Sequence, residues 1–270
     1  MDLQLTGKCA LVTGSSIGIG KQIARTLATE GATVVVHGRD RERADSVAAD
    51  IVSTGGKAIV VTGDLTDDGQ VEELCALLGE QLGCVDILVN NAGGSGEKHK
   101  WGDTAVEAWA DAYNRNVLAA VRLTNRLLPG MRTARWGRII NISSMAGTMP
   151  PSNGPDYSAC KAAMNNLTLS LAKSAAADGI TVNAVSPGTV FTPKLEEAFR
   201  DLAAKNGWAD HKGEWSEVER AVLPHVAPVP IGRVGMAGDI ANAVAFLCSP
   251  LAGYITGVDL RIDGGMMPAL

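Results

Sequence analysis

Seven short runs rich in Val, Ile and Leu recur along the chain, and stretches with helical spacing separate them. The runs are Cys9–Thr13, Thr33–His37, Ala58–Thr62, Ile87–Asn90, Arg138–Ile142, Thr181–Val185 and Asp259–Ile262. Several are continuously apolar rather than alternating, as expected for parallel strands covered on both faces. The spacing between them predicts helices over Ile19–Glu30, Arg41–Ser53, Val71–Gln81, Ala105–Arg135, Tyr157–Ala177 and Asp239–Leu247. Strands and helices alternating in this way imply right-handed crossovers and a doubly wound, seven-stranded parallel α/β sheet. With no internal repeat and no Pro/Gly-rich linker, residues 1–270 are expected to form a single domain.

One segment breaks the rhythm. Between Thr192 and Gly232 there is no strand pattern, but there are charged helical patterns over Lys194–Lys205 and Glu217–Leu223. Pro224, Pro228 and Pro230 are expected to stop the second of these. The insertion, about residues 193–230, follows the carboxyl end of a strand, where ligands of open α/β sheets bind. It is read as an extended helical lid over a substrate site, with a decorated surface loop as the plainer alternative.

Composition excludes several classes of function. A net charge of -5 argues against a nucleic-acid binder, which shows a basic excess. No apolar run approaches the roughly 18 residues needed to cross a bilayer, and the first residues lack a signal-peptide pattern. The five cysteines are widely spread, with no Cys-x-x-Cys, and read as reduced, buried small hydrophobes. Four scattered histidines provide no metal site. The expectation is a cytoplasmic protein that uses neither nucleic acid, membrane nor metal.

Two motifs carry chemistry. The first strand runs straight into Thr13-Gly14-Ser15-Ser16-Ile17-Gly18-Ile19-Gly20 and then a helix. Glycines at such a turn let the backbone approach a pyrophosphate, whose charge the N–H groups of the helix start hold. An acid at the end of the second strand would bind ribose hydroxyls and repel a 2′-phosphate. Here Gly38 stands in that place and Arg39 follows, with Arg41 and Arg43 nearby. A guanidinium suits a phosphate in charge and fork geometry, so NADP(H) is expected ahead of NAD(H). The alternative is that these arginines form a solvated helix start.

The second motif is Tyr157 and Lys161, one helical turn apart in Pro-Asp-Tyr-Ser-Ala-Cys-Lys. A phenol with pKa near ~10 is a poor acid-base catalyst at neutral pH, and a neighbouring ammonium favours the phenolate. The pair is expected to exchange a proton with a carbonyl oxygen. Alone, a Tyr-x-x-x-Lys spacing is weak, because chance supplies it often.

The motifs taken together resemble the short-chain dehydrogenases/reductases. Thr-Gly-x-x-x-Gly-x-Gly, Asn90-Asn91-Ala92-Gly93, Ser143-Ser144, Tyr157-x-x-x-Lys161, Ser186-Pro187-Gly188 and Asp263-Gly264-Gly265 occur in that family's order, from Leu5 to Gly265. The resemblance implies a Rossmann fold and a catalytic group of Asn116, Ser144, Tyr157 and Lys161. In it Tyr157 exchanges the proton, and Lys161 tunes the phenol and holds the nicotinamide ribose. Ser144 binds the substrate oxygen, in preference to Ser143, and Asn116 holds a water leading to the lysine, in preference to Asn114. It further implies cofactor contacts from Gly14, Ser16, Gly18 and Ile19, and from Asp64 and Leu65 near the adenine. Asn91, Ala92 and Gly93 belong beside the adenosine ribose, and Pro187, Gly188, Val190 and Thr192 along the carboxamide. Asn91 has a second implied role, bridging strands through their backbone groups. The family also implies a homotetramer, with apolar positions such as Leu118, Val121, Leu167 and Leu171 free to pair helices of two subunits.

Two departures bear on function. Ser16 stands where many NADP(H) members carry a basic residue, so cofactor choice rests on the Arg39 region. The chain is similar to the 3-oxoacyl-acyl carrier protein reductases at Gly137–Ile142 and Gly179–Asn183. Those enzymes present arginines to an acidic carrier; Arg132 and Arg135 are available here, but Asp178 replaces the usual base before Gly179, which puts carrier-protein binding in doubt. The reading is an NADP(H)-dependent oxidoreductase interconverting a ketone and a secondary alcohol, with 3-oxoacyl thioester reduction as its default. Alternatives are a small cyclic, polyol or sugar-type ketone, suggested by Phe199, Trp208 and Trp215 in the insertion, or a non-catalytic dinucleotide-binding sensor.

Overall fold

The structure, a computed structural model, describes residues 1–97 and 100–268. All seven expected strands form, as β1 (Cys9–Val12), β2 (Thr33–Gly38), β3 (Lys57–Thr62), β4 (Ile87–Asn90), β5 (Gly137–Ile142), β6 (Ile180–Pro187) and β7 (Asp259–Ile262). They pair in parallel in the order β3-β2-β1-β4-β5-β6-β7. The sheet is thus doubly wound, with its switch of direction between β1 and β4.

Alternate residues of each strand feed opposite layers. Ala10 and Val12 of β1 join Val34 and Val36 of β2 under α1 (Gly18–Thr29), α2 (Arg41–Ser53) and α9 (Ala237–Cys248). Leu11 and Val35 point the other way, under α3 (Asp68–Leu82), α5 (Ala119–Ala134) and α6 (Pro155–Ala175). Both faces are therefore dry, which is why the strand runs carry so little polar alternation. Asp40 and Asp67 accept the N–H groups of Arg43 and Gln70 and so cap α2 and α3.

Three local expectations are corrected. The helix expected over Ala105–Arg135 is α4 (Val106–Tyr113) and α5 joined by a π-turn at Asn114–Leu118. Apolar spacing does not report such a turn, which inserts one extra residue into the ladder. Pro224 lies inside α8 (Trp215–Val226) instead of ending it. Its ring is on an exposed position, so the hydrogen bond it removes faces water. Of the five cysteines only Cys160 and Cys248 are buried; Cys9, Cys75 and Cys84 are half-buried, and all five are free thiols.

The insertion forms α7 (Pro193–Asn206) and α8, with a hydrophobic cluster of its own built on Phe199, Ala203, Val218 and Val222. Trp208 stacks on His225 at 4.1 Å between ring centres, and Trp215 meets Phe191 and Phe199 at 5.2 and 5.6 Å. Among the described residues, no helix is long and apolar enough to cross a membrane, and no three His, Cys, Asp or Glu side chains gather as a metal site.

Candidate active site

Because β1 neighbours both β2 and β4, the loops leaving β1 and β4 diverge and open a crevice at the strands' carboxyl ends. It is a cleft of about 980 Å³. Every expected cofactor contact lines it: Gly14, Ser16, Gly18, Ile19, Arg39, Asp64, Leu65, Asn91, Ala92, Gly93, Pro187, Gly188, Val190 and Thr192. Of the expected catalytic residues, Ser144, Tyr157 and Lys161 line it and Asn116 does not.

The β1–α1 turn fits a dinucleotide's phosphates. Gly14 has φ +62°, and a Cβ there would stand 3.0 Å from the Cα of Ala92, so only glycine lets the two loops approach this closely. The amino end of α1 has no capping side chain and no acid in its first turn, which leaves its N–H groups and dipole for an anion. Arg39 is exposed on the cleft and, among the described residues, makes no hydrogen bond or ion pair. The Asp64 carboxylate accepts from the Thr66 N–H and hydroxyl at 2.9 and 2.7 Å, which hold it below its usual range, and Arg39 adds to that. Asn91 fills its bridging role: its Nδ2 donates to the carbonyls of Thr13 and Gly14 at 2.8 and 3.1 Å.

His37, at the end of β2, is a positioning residue that nothing in the sequence pattern singles out. Its Nδ1 accepts the Gly14 N–H at 3.2 Å, and its Nε2 lies 3.2 Å from the Gly63 carbonyl, which fixes a neutral ring protonated on Nε2. Burial holds the imidazole down to about 4 from its ordinary 6.5. Between those values the unfolded chain takes up a proton that the folded one refuses. Stability is therefore full above about pH 6.5 and falls as pH drops toward 4, by up to about 3 kcal/mol. Urea midpoints measured from pH 7.5 to 4.5 are expected to fall more steeply for the wild type than for His37→Gln. Equal slopes would contradict the latch.

The other half of the cleft is built on α6. A polar chain crosses the sheet beneath it: Asn90 Nδ2 donates to Asn141 Oδ1 at 2.9 Å, Asn141 Nδ2 to Thr168 Oγ1 at 2.8 Å, and Thr168 to the Met164 carbonyl at 2.7 Å. A Cβ on Gly147 would stand 2.8 Å from the Lys161 carbonyl carbon, so α6 lies hard against the turn after β5. Ser143 is buried and donates to the Lys161 carbonyl at 3.1 Å, whereas Ser144 accepts the Ala146 N–H and sets its hydroxyl toward the Tyr157 phenol. The two serines thus have different partners, although both border the cleft.

Lys161 is buried, donates to the Ile142 carbonyl at 2.8 Å, and holds its Nζ 5.4 Å from the centre of the Tyr157 ring. The electrostatics differ from the simple expectation of an ammonium lowering a phenol. Burial raises the Tyr157 phenol above its ordinary value, and the nearby Ser144 hydroxyl is what works against that rise. Burial also holds Lys161 down to about 8. The dry pocket disfavours the charged form of both groups.

Asn116 is buried in the π-turn with its amide fully engaged. Its Oδ1 accepts the Gly94 N–H at 2.9 Å, and its Nδ2 donates to the carbonyls of Gly94 and Ala112 at 3.1 and 2.9 Å. The side chain ties the loop after β4 to α4 and does not reach the cleft. No residue of 193–230 lines the cleft either, and the aromatic residues of that segment form its own core. Arg132 and Arg135 both pair with Asp178, at 3.0 and 2.8 Å. They precede β5 and β6, at the amino ends of the strands and so at the opposite end of the sheet from the cleft.

Residues 8–203 match the family model for short chain dehydrogenase. The chain is 36% identical to the 7alpha-hydroxysteroid dehydrogenase of Escherichia coli (strain K12), over 98% of this chain and 96% of that one. It is 38% identical to the 3-oxoacyl-[acyl-carrier-protein] reductase of the same organism, over 98% and 99%. Among solved structures, the L-sorbose reductase of Gluconobacter frateurii, complexed with NADPH and L-sorbose, superposes with a TM-score of 0.91 at 35% identity, covering 100% of both chains. A 7alpha-hydroxysteroid dehydrogenase complexed with NADH and 7-oxoglycochenodeoxycholic acid gives 0.83 at 35%, over 100% and 98%. The chain belongs to the short-chain dehydrogenase/reductase family and is an oxidoreductase of that family.

Proposed function

We propose that this chain is an NADP(H)-dependent oxidoreductase that interconverts a ketone and a secondary alcohol. One observation carries the reading: a single cleft holds Ser144, Tyr157 and Lys161 at one end and, at the other, Arg39, unpaired among the described residues, beside an uncapped helix start. Bound in it, the nicotinamide cofactor would supply the hydride in reduction and take it in oxidation. The chain's own groups do the rest. Gly14, Ser16, Gly18 and Ile19 receive the pyrophosphate, Arg39 the 2′-phosphate, and Asp64 with Leu65 bound the adenine end. Pro187, Gly188, Val190 and Thr192 orient the other end.

In reduction Ser144 donates to the substrate oxygen and Tyr157 gives up its proton to it. Burial keeps the phenol protonated, as a donor must be, and Lys161 stabilises the phenolate as it forms. The Asn116 amide is fully engaged, so its side chain holds the loop after β4 against α4 rather than a water in the cleft.

The substrate reading favours a small free ketone over a thioester on an acidic carrier. The arginines expected to meet a carrier share the Asp178 carboxylate at the far end of the sheet. NADPH oxidation compared on a free 3-oxoacyl thioester and the same acyl group on its carrier protein tests this. The carrier is expected to bring no gain in kcat/KM; a gain of tenfold or more would restore the carrier-linked reading.

The chain is further proposed to be a homotetramer. Val121 on α5 and Leu167 and Leu171 on α6 border a groove of about 400 Å³ that a second copy would cover. Light scattering should return four times the chain mass, and a monomer would contradict it.

A further inference from the structure

The cleft holds three cations besides the helix start, and two have roles in the reading above: Arg39 at the phosphate end and Lys161 beside Tyr157. The third is Arg115. Among the described residues its guanidinium makes neither a hydrogen bond nor an ion pair, although it is half-buried. It is placed by the π-turn that carries Asn116, and its Nη2 packs on the loop after β4, 3.2 Å from where a Cβ of Gly96 would stand. Its charge also reaches α6 at Cys160. Burial raises the Cys160 thiol, three residues past Tyr157, and Arg115 is among the cations acting against that.

A guanidinium offers five N–H donors in a rigid fork, and leaving them half-dehydrated without an acceptor is unfavourable. Surface arginines solve this with water or a carboxylate. Among the described residues the carboxylates on the cleft wall are Asp64, already holding Thr66 and far along toward Arg39, and Asp111. Asp111 lies four positions before Arg115, yet the two do not pair, and the π-turn between them breaks the helical register that would align them.

We propose that Arg115 is a specificity-determining residue that receives a carboxylate on the substrate, making the substrate class oxo acids and the corresponding hydroxy acids. This rests on the reading of the cleft as a ketone reductase site and names its substrate more narrowly. A carboxylate matches the fork with two parallel N–H···O contacts. A phosphate dianion fits less well, because a single guanidinium leaves its second charge uncompensated.

The test uses oxo acids from 2-oxobutanoate to 5-oxohexanoate, each against its own methyl ester, with NADPH as the reductant. The wild type is expected to favour at least one acid over its ester in kcat/KM. In Arg115→Gln that acid-to-ester ratio should fall at least about tenfold through KM, and Arg115→Lys should recover part of it. An acid preference that survives Arg115→Gln, or esters preferred throughout the series, overturns the proposal while leaving the reductase reading intact. Where neither acids nor esters are reduced, calorimetry of the same acids with the NADP-loaded protein decides: binding weakened tenfold by Arg115→Gln supports the proposal, and no binding overturns it. Failure of NADPH oxidation with every neutral ketone as well is the distinct result that removes the reductase reading.

Discussion

Tyr157→Phe is expected to lower kcat for ketone reduction by roughly 10²–10⁴-fold, the usual contribution of a positioned general acid, while NADPH still binds. The substitution removes one oxygen and leaves a ring of the same shape on α6. Ser144 keeps its bond from Ala146, and Lys161 keeps its 2.8 Å bond to the Ile142 carbonyl, so the architecture survives. What is lost is the proton donor and the hydroxyl that Ser144 meets. NADPH affinity measured by fluorescence should change less than about threefold, because the phosphate-binding turn lies at the other end of the cleft. Retained turnover would remove Tyr157 from the mechanism.

The second large effect belongs to Arg39. In Arg39→Gln, KM for NADPH is expected to rise about 10- to 100-fold, as for loss of a charge-assisted contact to phosphate, with KM for NADH little changed. No other arginine compensates at that point. Arg41 pairs with Asp45 and Arg43 with Asp40, each at 3.0 Å, and Ser16 supplies no charge. Gly38 contributes by omission, since it puts no carboxylate against the phosphate. A Cβ there would stand only 2.8 Å from the Ser16 hydroxyl oxygen, so an acid could not be introduced without displacing the Ser16 side chain. Equal losses with NADPH and NADH would mean that Arg39 supports the turn rather than choosing the cofactor.

Much of this site was legible because its signals are local. The strand runs could be read because burial on both faces demands unbroken apolar residues, and the Gly14 turn because a strand, a positive-φ glycine and a helix start are contiguous in the chain. What escaped depends on partners distant in sequence. His37 matters only because Gly14 and Gly63 converge on it, and Asn90, Asn141 and Thr168 look like isolated polar residues until the sheet aligns them. The π-turn at Asn114–Leu118 is invisible to apolar spacing, although it decides that the Asn116 amide faces Gly94 and leaves Arg115 on the cleft. Trp208 and Trp215 suggested a ligand platform, but large aromatic residues in a short insertion are also what a small separate core needs. The electrostatics of Tyr157 and Lys161 needed burial as well as spacing, and burial is a property of the whole fold.

The central claim is that this cleft carries out reduction and does not merely hold a nucleotide. It is tested most directly by incubating the protein with NADPH deuterated at C4 of the nicotinamide and a panel of ketones, then analysing the alcohols. Deuterium on the carbinol carbon of at least one product, from one face of the cofactor only, is the expected result. Tight NADPH binding with no label transferred to any ketone would contradict it and would leave a dinucleotide-binding protein without catalysis.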